Sequence, residues 1–440
     1  MMRSLFLGLY SLLWLLLLPI VLMYLWYRGR RDSDYTSHLT ERFGSYKSPL
    51  PKGGIWIHAV SLGETRSATG LIRMALDRGE HIVLTNFTPA GRRETARLFA
   101  LEIAAGQLTS LWVPFDMAWC YRRFFHACQP RIGLTLEVEI WPAMIFSARH
   151  ASVPLYMCNA QYASRSFARD SQGLRLRQKL IPKFAGAFVK SQAQADRFSS
   201  IGLENITVTG ELRFDQPVPN TQIDAGLNLR DLIGDERPII AIASGVEGEE
   251  ALYVDLIERL VSQARKAGSV APLVVYVPRA PERFGLVADQ LRAAGFKVLR
   301  RSVALDNVLQ PNCQIDPVDV ILGDSIGEMF FYLAMADRVI VGGGFTPRGA
   351  HNVIEPLMLN KTVLTGPYVW TIEFPFVEAE SAGIAKSVPD IDALLAELSK
   401  PPQDASDAIS AFLSDHHGAS ARTLAGIEAA LANKDANILG

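Results

Sequence analysis

Apolar positions divide this chain into two regimes. Leu5 to Tyr27 is almost wholly apolar, with Ser11 the main polar interruption. As a helix at about 1.5 Å per residue it would reach roughly 34 Å, enough for the hydrocarbon core of a bilayer. From Ile55 onward, short apolar or β-branched runs alternate with helical patterns instead. IWIHAV (55–60) precedes a helical pattern from Thr65 to Arg78, and HIVLTNF (81–87) precedes another from Gly91 to Ala100. Repeated βα units of this kind predict a parallel sheet wrapped by helices. LWVPF, RIGLTLEV, PLYMCNA, GAFVKS and NITVTGE continue the series into one doubly wound domain. The stretch 214–238 has no strand pattern, carries Pro217 and Pro219 near its start and ends on Pro238, so the interdomain connection is expected there. IIAIAS, PLVVYVP, KVLR, DVILGD, RVIVGGG and TVLTGP then read as strands of a second αβ series. The expected divisions are 1–31 for an anchor and its basic flank, 32–220 for a first Rossmann-like domain and 221–440 for a second. Beyond Pro401 the chain is rich in Ala, Ser and Asp but helical in pattern, and is expected to pack on the outside of either domain.

A length of 440 residues exceeds what one core usually organises and supports two domains. With 49% hydrophobic residues, 20% charged residues and a formal net charge of -1, the composition argues against disorder and against a nucleic-acid-binding surface. Cys120, Cys128, Cys158 and Cys313 form no CxxC pair, which suits a reducing compartment without excluding others, and they are read as core or neutral positions. No HxxxH, DxD or cysteine–histidine grouping points to a metal. The N-terminal apolar run is too long for a signal peptide and no small-x-small cleavage site follows it. Trp26 and Tyr27 suit a membrane interface. Arg28, Arg30 and Arg31 follow the run against Arg3 before it, which places the C-terminal part in the cytoplasm by the positive-inside rule. Bitopic or monotopic insertion through this one helix is expected.

Four segments could carry chemistry. In HAVSLGE (58–64), Ser61 and Glu64 have the S-x-x-E spacing of a capping box, so Glu64 could simply favour the start of a helix. The same turn follows the first strand of a parallel sheet, where ligands collect, and Gly63 would allow close approach. A carboxylate there, facing an interdomain cleft, could take a proton from a hydroxyl. Spacing leaves both readings open. In TLEVEIWP (135–142), Glu137 and Glu139 would share one face of a strand, which is costly without a cationic or hydroxyl-bearing partner. In DRVIVGGGFTPRGAHNVIEP (337–356), a strand enters three glycines and a helical pattern starts near Asn352. Amides of Gly343 and Gly344 suit a phosphate and Glu355 could hold a ribose, with His351 in the same loop. In VPRAPERF (277–284), Arg279 at a strand end suits phosphate oxygens, whereas Arg283 is expected to face solvent. His58, inside a strand, reads as buried and hydrogen-bonded, and His416 and His417 receive no role.

WIHAVSLGE, LEVEIWP, CNAQYASRS, GELRFD, VPRAPERF, GDSIGE and GGGFTPRGAHNVIEP occur here in that order. Together, over essentially the whole chain, they resemble the 3-deoxy-D-manno-octulosonic acid (Kdo) transferases of bacterial lipopolysaccharide assembly. The resemblance implies an α/β GT-B fold of two Rossmann-like domains with an N-terminal membrane anchor. It implies a CMP-Kdo donor in the C-terminal domain and a lipid A precursor as acceptor at the cytoplasmic face of the inner membrane. Transfer would invert the donor without metal or cofactor, with Glu64 as general base. Ser61, Gly63, Glu137 and Glu139 would lie on the acceptor side. Arg279 would meet the CMP phosphate and Glu355 the ribose, with Gly343, Gly344, His351, Asn352, Ser244 and Arg213 also at the donor. This chain departs from the family pattern in several places. Gly245 and Val246 stand where a Thr-His pair is usual, Ala280 where histidine is usual, Gln161 where arginine is usual, and Glu211 and Arg213 where asparagine and lysine are usual. These departures leave open a different nucleotide sugar or acceptor, or a catalytically silent paralogue.

Overall fold

The computed structural model describes residues 2–234, 237–312 and 317–439, with side chains from 7 to 432; Cys313, read as a core or neutral position, lies outside them. The chain divides into two units, Met1–Pro217 with His416–Gly440, and Val218–Asp415.

Among the described residues of the first unit, seven parallel strands form one sheet. They are β1 (Ile55–Ala59), β2 (Ile82–Asn86), β3 (Leu108–Trp112), β4 (Ile132–Leu136), β5 (Leu155–Ala160), β6 (Gly186–Val189) and β7 (Ile206–Val208). Their order is β3-β2-β1-β4-β5-β6-β7. The central strand β1 is paired on both edges, Ile55 standing opposite Ile82 and Ile132, and all its residues are buried. That is why it reads as a continuous apolar run, since a doubly wound sheet has no solvated face. Alternate side chains supply two cores. Trp56 packs among Phe124 and Phe125 on one side, while Ile55 and Ile57 join Ile72 and Phe188 on the other.

The second unit repeats the plan with β8 (Ile239–Gly245), β9 (Leu273–Pro278), β10 (Val298–Arg300), β11 (Val320–Leu322), β12 (Arg338–Val341), β13 (Val363–Thr365) and β14 (Ala385–Ser387). The order is β10-β11-β9-β8-β12-β13-β14, again parallel among the described residues. In each sheet the order reverses at a central pair, β1/β4 in one and β8/β12 in the other, and in the second sheet β11 lies between β9 and the edge strand β10. Loops leaving those pairs at their carboxyl ends part in opposite directions, which opens a crevice for ligands.

Four local expectations are corrected. β3 is LTSLW rather than LWVPF, because Pro114 has no N–H for a ladder and Phe115 N donates to Arg42 O at 2.7 Å instead. β14 gave no signal, being a three-residue edge strand with exposed Lys386. The connecting stretch contains a helix, Asn220–Ile233, that packs on the helix Met329–Met335. A Cβ at Gly226 would meet Phe331 O at 2.4 Å, so glycine permits that contact. Finally, the last helix, Ala419–Leu439, belongs to the first unit rather than to the 221–440 domain. Asp215 accepts from Gly418 N at 2.7 Å and Ser420 N at 2.5 Å, and Ala419, Leu424 and Ile427 enter the first unit's core.

Gly133 of β4 faces Trp56, and an added Cβ would lie 2.7 Å from the indole ring and 2.9 Å from Leu155. Gly133→Ala should therefore overpack the sheet and lower stability by about 1–3 kcal/mol, read as a reduced urea midpoint at unchanged slope.

Candidate active site

Glu64 stands at the β1/β4 crevice, and the local reading of its turn as a cap holds. Ser61 is extended (φ -124°, ψ 170°) and caps the helix Leu62–Ser67. Its hydroxyl accepts from Glu64 N at 3.4 Å and donates to Glu64 Oε1 at 3.0 Å, while Glu64 Oε2 accepts from Val60 N at 2.7 Å. The capping contacts are made, and they hold a half-buried carboxylate in one orientation. Its pKa rises to about 7, first because of burial. The Val60 and Ser61 bonds pull the other way, and the charges of Glu137 and Glu139 add to the rise. Gly63 is exposed on this helix with ordinary backbone angles, and the nearest atom to an added Cβ is Ser61 Oγ at 3.9 Å. Nothing inside the unit requires glycine there.

Glu137 and Glu139 do not share a strand face as expected. β4 ends at Leu136, and Glu137 takes a left-handed conformation with φ 58°. The turn sends the two acids to different partners. Glu139 Oε2 accepts from Trp141 Nε1 at 2.6 Å, and burial raises its pKa. Glu137 Oε1 accepts from Lys190 Nζ at 3.1 Å and from Asn159 Nδ2 at 3.2 Å. The cation that the paired acids demanded is thus Lys190, at the end of β6, which sequence reasoning gave no role. A lysine closing an otherwise apolar strand was the available signal.

Lys190 also explains Glu211. Its ammonium lies 2.7 Å from Glu211 Oε2, and Asn159 Nδ2 donates to Glu211 Oε1 at 2.8 Å. Glu211 and Asn159 are fully buried and Lys190 nearly so. Burial alone would raise the Glu211 carboxyl, but Lys190 and Arg213 hold it well below the usual range. Lys190 itself stays above its ordinary value, because its two carboxylates outweigh burial. Arg213 sits in this first unit, its backbone N donating to Glu211 Oε1 at 3.3 Å. His58 is buried with Nδ1 3.0 Å from Thr85 Oγ1, and burial pushes its pKa down to about 4.

At the β8/β12 crevice the glycine loop is closed on itself more tightly than expected. Gly343 N, expected at a phosphate, donates to Glu249 Oε2 at 2.7 Å; Phe345 N donates to Glu249 Oε1 at 3.0 Å and Val246 N to Oε2 at 3.1 Å. Glu249 is fully buried and was not singled out from the sequence. A Cβ at Gly343 would meet Gly349 O at 2.3 Å and one at Gly344 would meet Thr365 Oγ1 at 2.3 Å, so both glycines serve close packing of loop backbones. The helix beyond is five residues, Ile354–Met358, with Glu355 in its first turn and Asn352 Oδ1 accepting from Ile354 N at 3.0 Å. His351 Nδ1 accepts from Arg279 Nη1 at 2.6 Å, which places its proton on Nε2. These two side chains join the ends of separate loops. Ser244 is left-handed at φ 62°, and Gly245 follows it against Tyr276, whose ring would lie 2.5 Å from an added Cβ. A threonine there would displace Tyr276. Arg283 does not point into solvent but binds back to Glu250 with Nε 3.0 Å from Oε1.

Residues 37–216 match the family model described as 3-deoxy-D-manno-octulosonic-acid transferase (kdotransferase). Over 434 residues the chain is 37% identical to the 3-deoxy-D-manno-octulosonic acid transferase of Bordetella pertussis, covering 96% of this chain and 98% of that one. A solved glycosyltransferase from Rickettsia africae ESF-5 is similar at 12% identity and a TM-score of 0.56, covering 86% of this chain and 97% of that one. A UDP-GlcNAc 2-epimerase from Neisseria meningitidis is similar at 12% identity and a TM-score of 0.53, covering 83% and 95%. At such identity the two structures show the fold alone, which is GT-B.

Removing the ammonium of Lys190 would strand two buried or half-buried carboxylates. Lys190→Met should cost about 3–5 kcal/mol in denaturant unfolding, and adding Glu211→Gln should recover part of that loss.

Proposed function

The chain belongs to the Kdo transferase family and is a glycosyltransferase, and from that premise we propose that it moves Kdo from CMP-Kdo to a lipid A precursor in lipopolysaccharide core assembly. The transfer inverts the donor's anomeric configuration and needs neither metal nor cofactor. Glu64 is the general base, and the observation that carries this is its carboxylate, oriented by Val60 and Ser61 at the β1/β4 crevice with a pKa of about 7. A base of that strength is half ionised at neutral pH and still able to hold the proton it takes. As the acceptor oxygen bonds to the anomeric carbon, its proton passes to Glu64 and the bond to the CMP phosphate breaks. Arg279 and the Nε2–H of His351 supply positive charge and a donor for the departing phosphate, and Glu355 holds the ribose. Asn352, Ser244, Gly343 and Gly344 shape the loops around the donor, while Ser61, Gly63, Glu137 and Glu139 face the acceptor. Lys190 holds Glu137 in place beside the crevice, where the charges of Glu137 and Glu139 add to the rise in Glu64 that burial begins. The anchor holds both units at the cytoplasmic face of the inner membrane, where the lipid acceptor resides.

Four outcomes test this reading. Incubation with CMP-Kdo and a lipid A precursor should add Kdo to the lipid by mass spectrometry; UDP release from a UDP-sugar, or turnover without acceptor, would replace it with a different reaction. Glu64→Gln should lower kcat by about 10²–10⁴-fold while CMP binding is retained, and wild-type turnover in that variant would remove the base. Because Glu64 acts only when ionised, kcat/KM should climb as pH rises through about 7 and level off above it. Gly63→Ala should stabilise its helix by about 0.5–1 kcal/mol yet raise the KM for the lipid, since the methyl would occupy the acceptor's approach.

A further inference from the structure

The apolar N-terminal helix, Met2–Gly29, lies along its domain. Tyr10, Trp14, Leu18, Val21, Leu22 and Leu25 recur at three- and four-residue spacing and form the face turned to the first unit. Tyr10 OH donates to Asp116 Oδ2 at 2.5 Å, Trp14 and Phe115 have ring centroids 6.0 Å apart, and Leu25 is buried with Met117 and Cys120. The opposite face is hydrocarbon, with Leu9 60%, Leu16 67% and Met23 63% exposed.

The packed length, Leu7 to Leu25, is about 27 Å, close to the roughly 30 Å of a bilayer's hydrocarbon core. Were this helix to stand upright across a membrane, the domain face beside it would have to descend with it. Next to Leu7 that face holds a cavity of about 770 Å³ rimmed by exposed Arg122, His126 and His150. Irregular backbone at Gln129–Pro130 and Ala151–Ser152 lies there too. Neither ionisable rims nor lipid-facing loops are tolerated at membrane depth.

We infer that the helix lies in the plane of one leaflet, with the domain along one side and acyl chains along the other. This deepens, and rests on, the membrane part of the function proposed above. Such a seat also accounts for a helix that is apolar all round. An interfacial helix ordinarily turns a polar face to water, but here Phe115, Met117 and Cys120 cover that face. Trp26 with Arg28, Arg30 and Arg31 then falls at headgroup depth, and Arg122 and His126 face the anionic phosphates of the same leaflet. The seat is linked to the acceptor side through Asp116, which also accepts from Met144 N at 2.8 Å. That residue stands in the first turn of the helix Pro142–His150, directly after the Trp141 that binds Glu139. The height of the acceptor acids above the membrane is thereby set by the seat.

The test uses the full chain in inner-membrane vesicles of known sidedness, treated with a membrane-impermeant maleimide. One variant carries a cysteine in a short tag ahead of Met1, and the other is Leu174→Cys, at a position 74% exposed in the first unit. Both should be labelled above the parent chain's background from the same side of the vesicle. Labelling from opposite sides would show a spanning helix and overturn the in-plane seat while leaving the transferase reading intact. Recovery of the whole chain in the soluble fraction would overturn the seat together with the membrane reading beneath it.

Discussion

Buried charge at the carboxyl ends of parallel strands is the constraint on which this protein is organised. A doubly wound sheet is dry on both faces, so a buried charge there needs a partner within hydrogen-bonding reach. Each unit places a carboxylate at those strand ends and neutralises it differently. In the first unit Glu137 and Glu211 share the Lys190 ammonium, with Asn159 bridging them. In the second, Glu249 has no cation among its recorded bonds and collects three backbone amides. The first solution leaves a net field at the crevice, and the second makes a rigid loop.

That difference suits a division of labour. Glu64 owes its basicity to burial and to the negative potential of Glu137 and Glu139, against the opposing pull of its own cap. The cap orients the side chain and pulls its pKa down, but burial outweighs that pull. The glycine loop of the second unit has already used the Gly343 amide on Glu249, while Arg279 donates to His351 between the ends of two other loops. The departures at Glu211 and Gly245 belong to the same pattern. Glu211 has the Lys190 ammonium beside it, and Gly245 has the Tyr276 ring.

Much of the fold was legible because central strands buried on both faces, such as β1, β2, β4 and β9, read as apolar or β-branched runs. β14 did not, being short, at an edge and half polar. The connecting stretch was placed by its prolines and its lack of a strand pattern, and the residues between Pro219 and Pro238 include the helix Asn220–Ile233. Its helical character rests on a contact with Phe331, more than a hundred residues away, that no local pattern announces. The tail was likewise ambiguous, since an amphipathic helix does not say which core it will cover; Asp215 decided that by binding the amides of Gly418 and Ser420.

By itself the sequence determined the order of strands and helices, the two-domain plan, the apolar N-terminal helix and the motifs that mark the family. All of these depend on side-chain period and on residues adjacent in the chain. Tertiary structure alone decided the pairing of Lys190 with Glu137 and Glu211, the pKa of Glu64, the commitment of Gly343 to Glu249, and the face of the N-terminal helix that meets the domain. Charge compensation and desolvation depend on distances between groups far apart in the chain, and those distances exist only once the cores have closed.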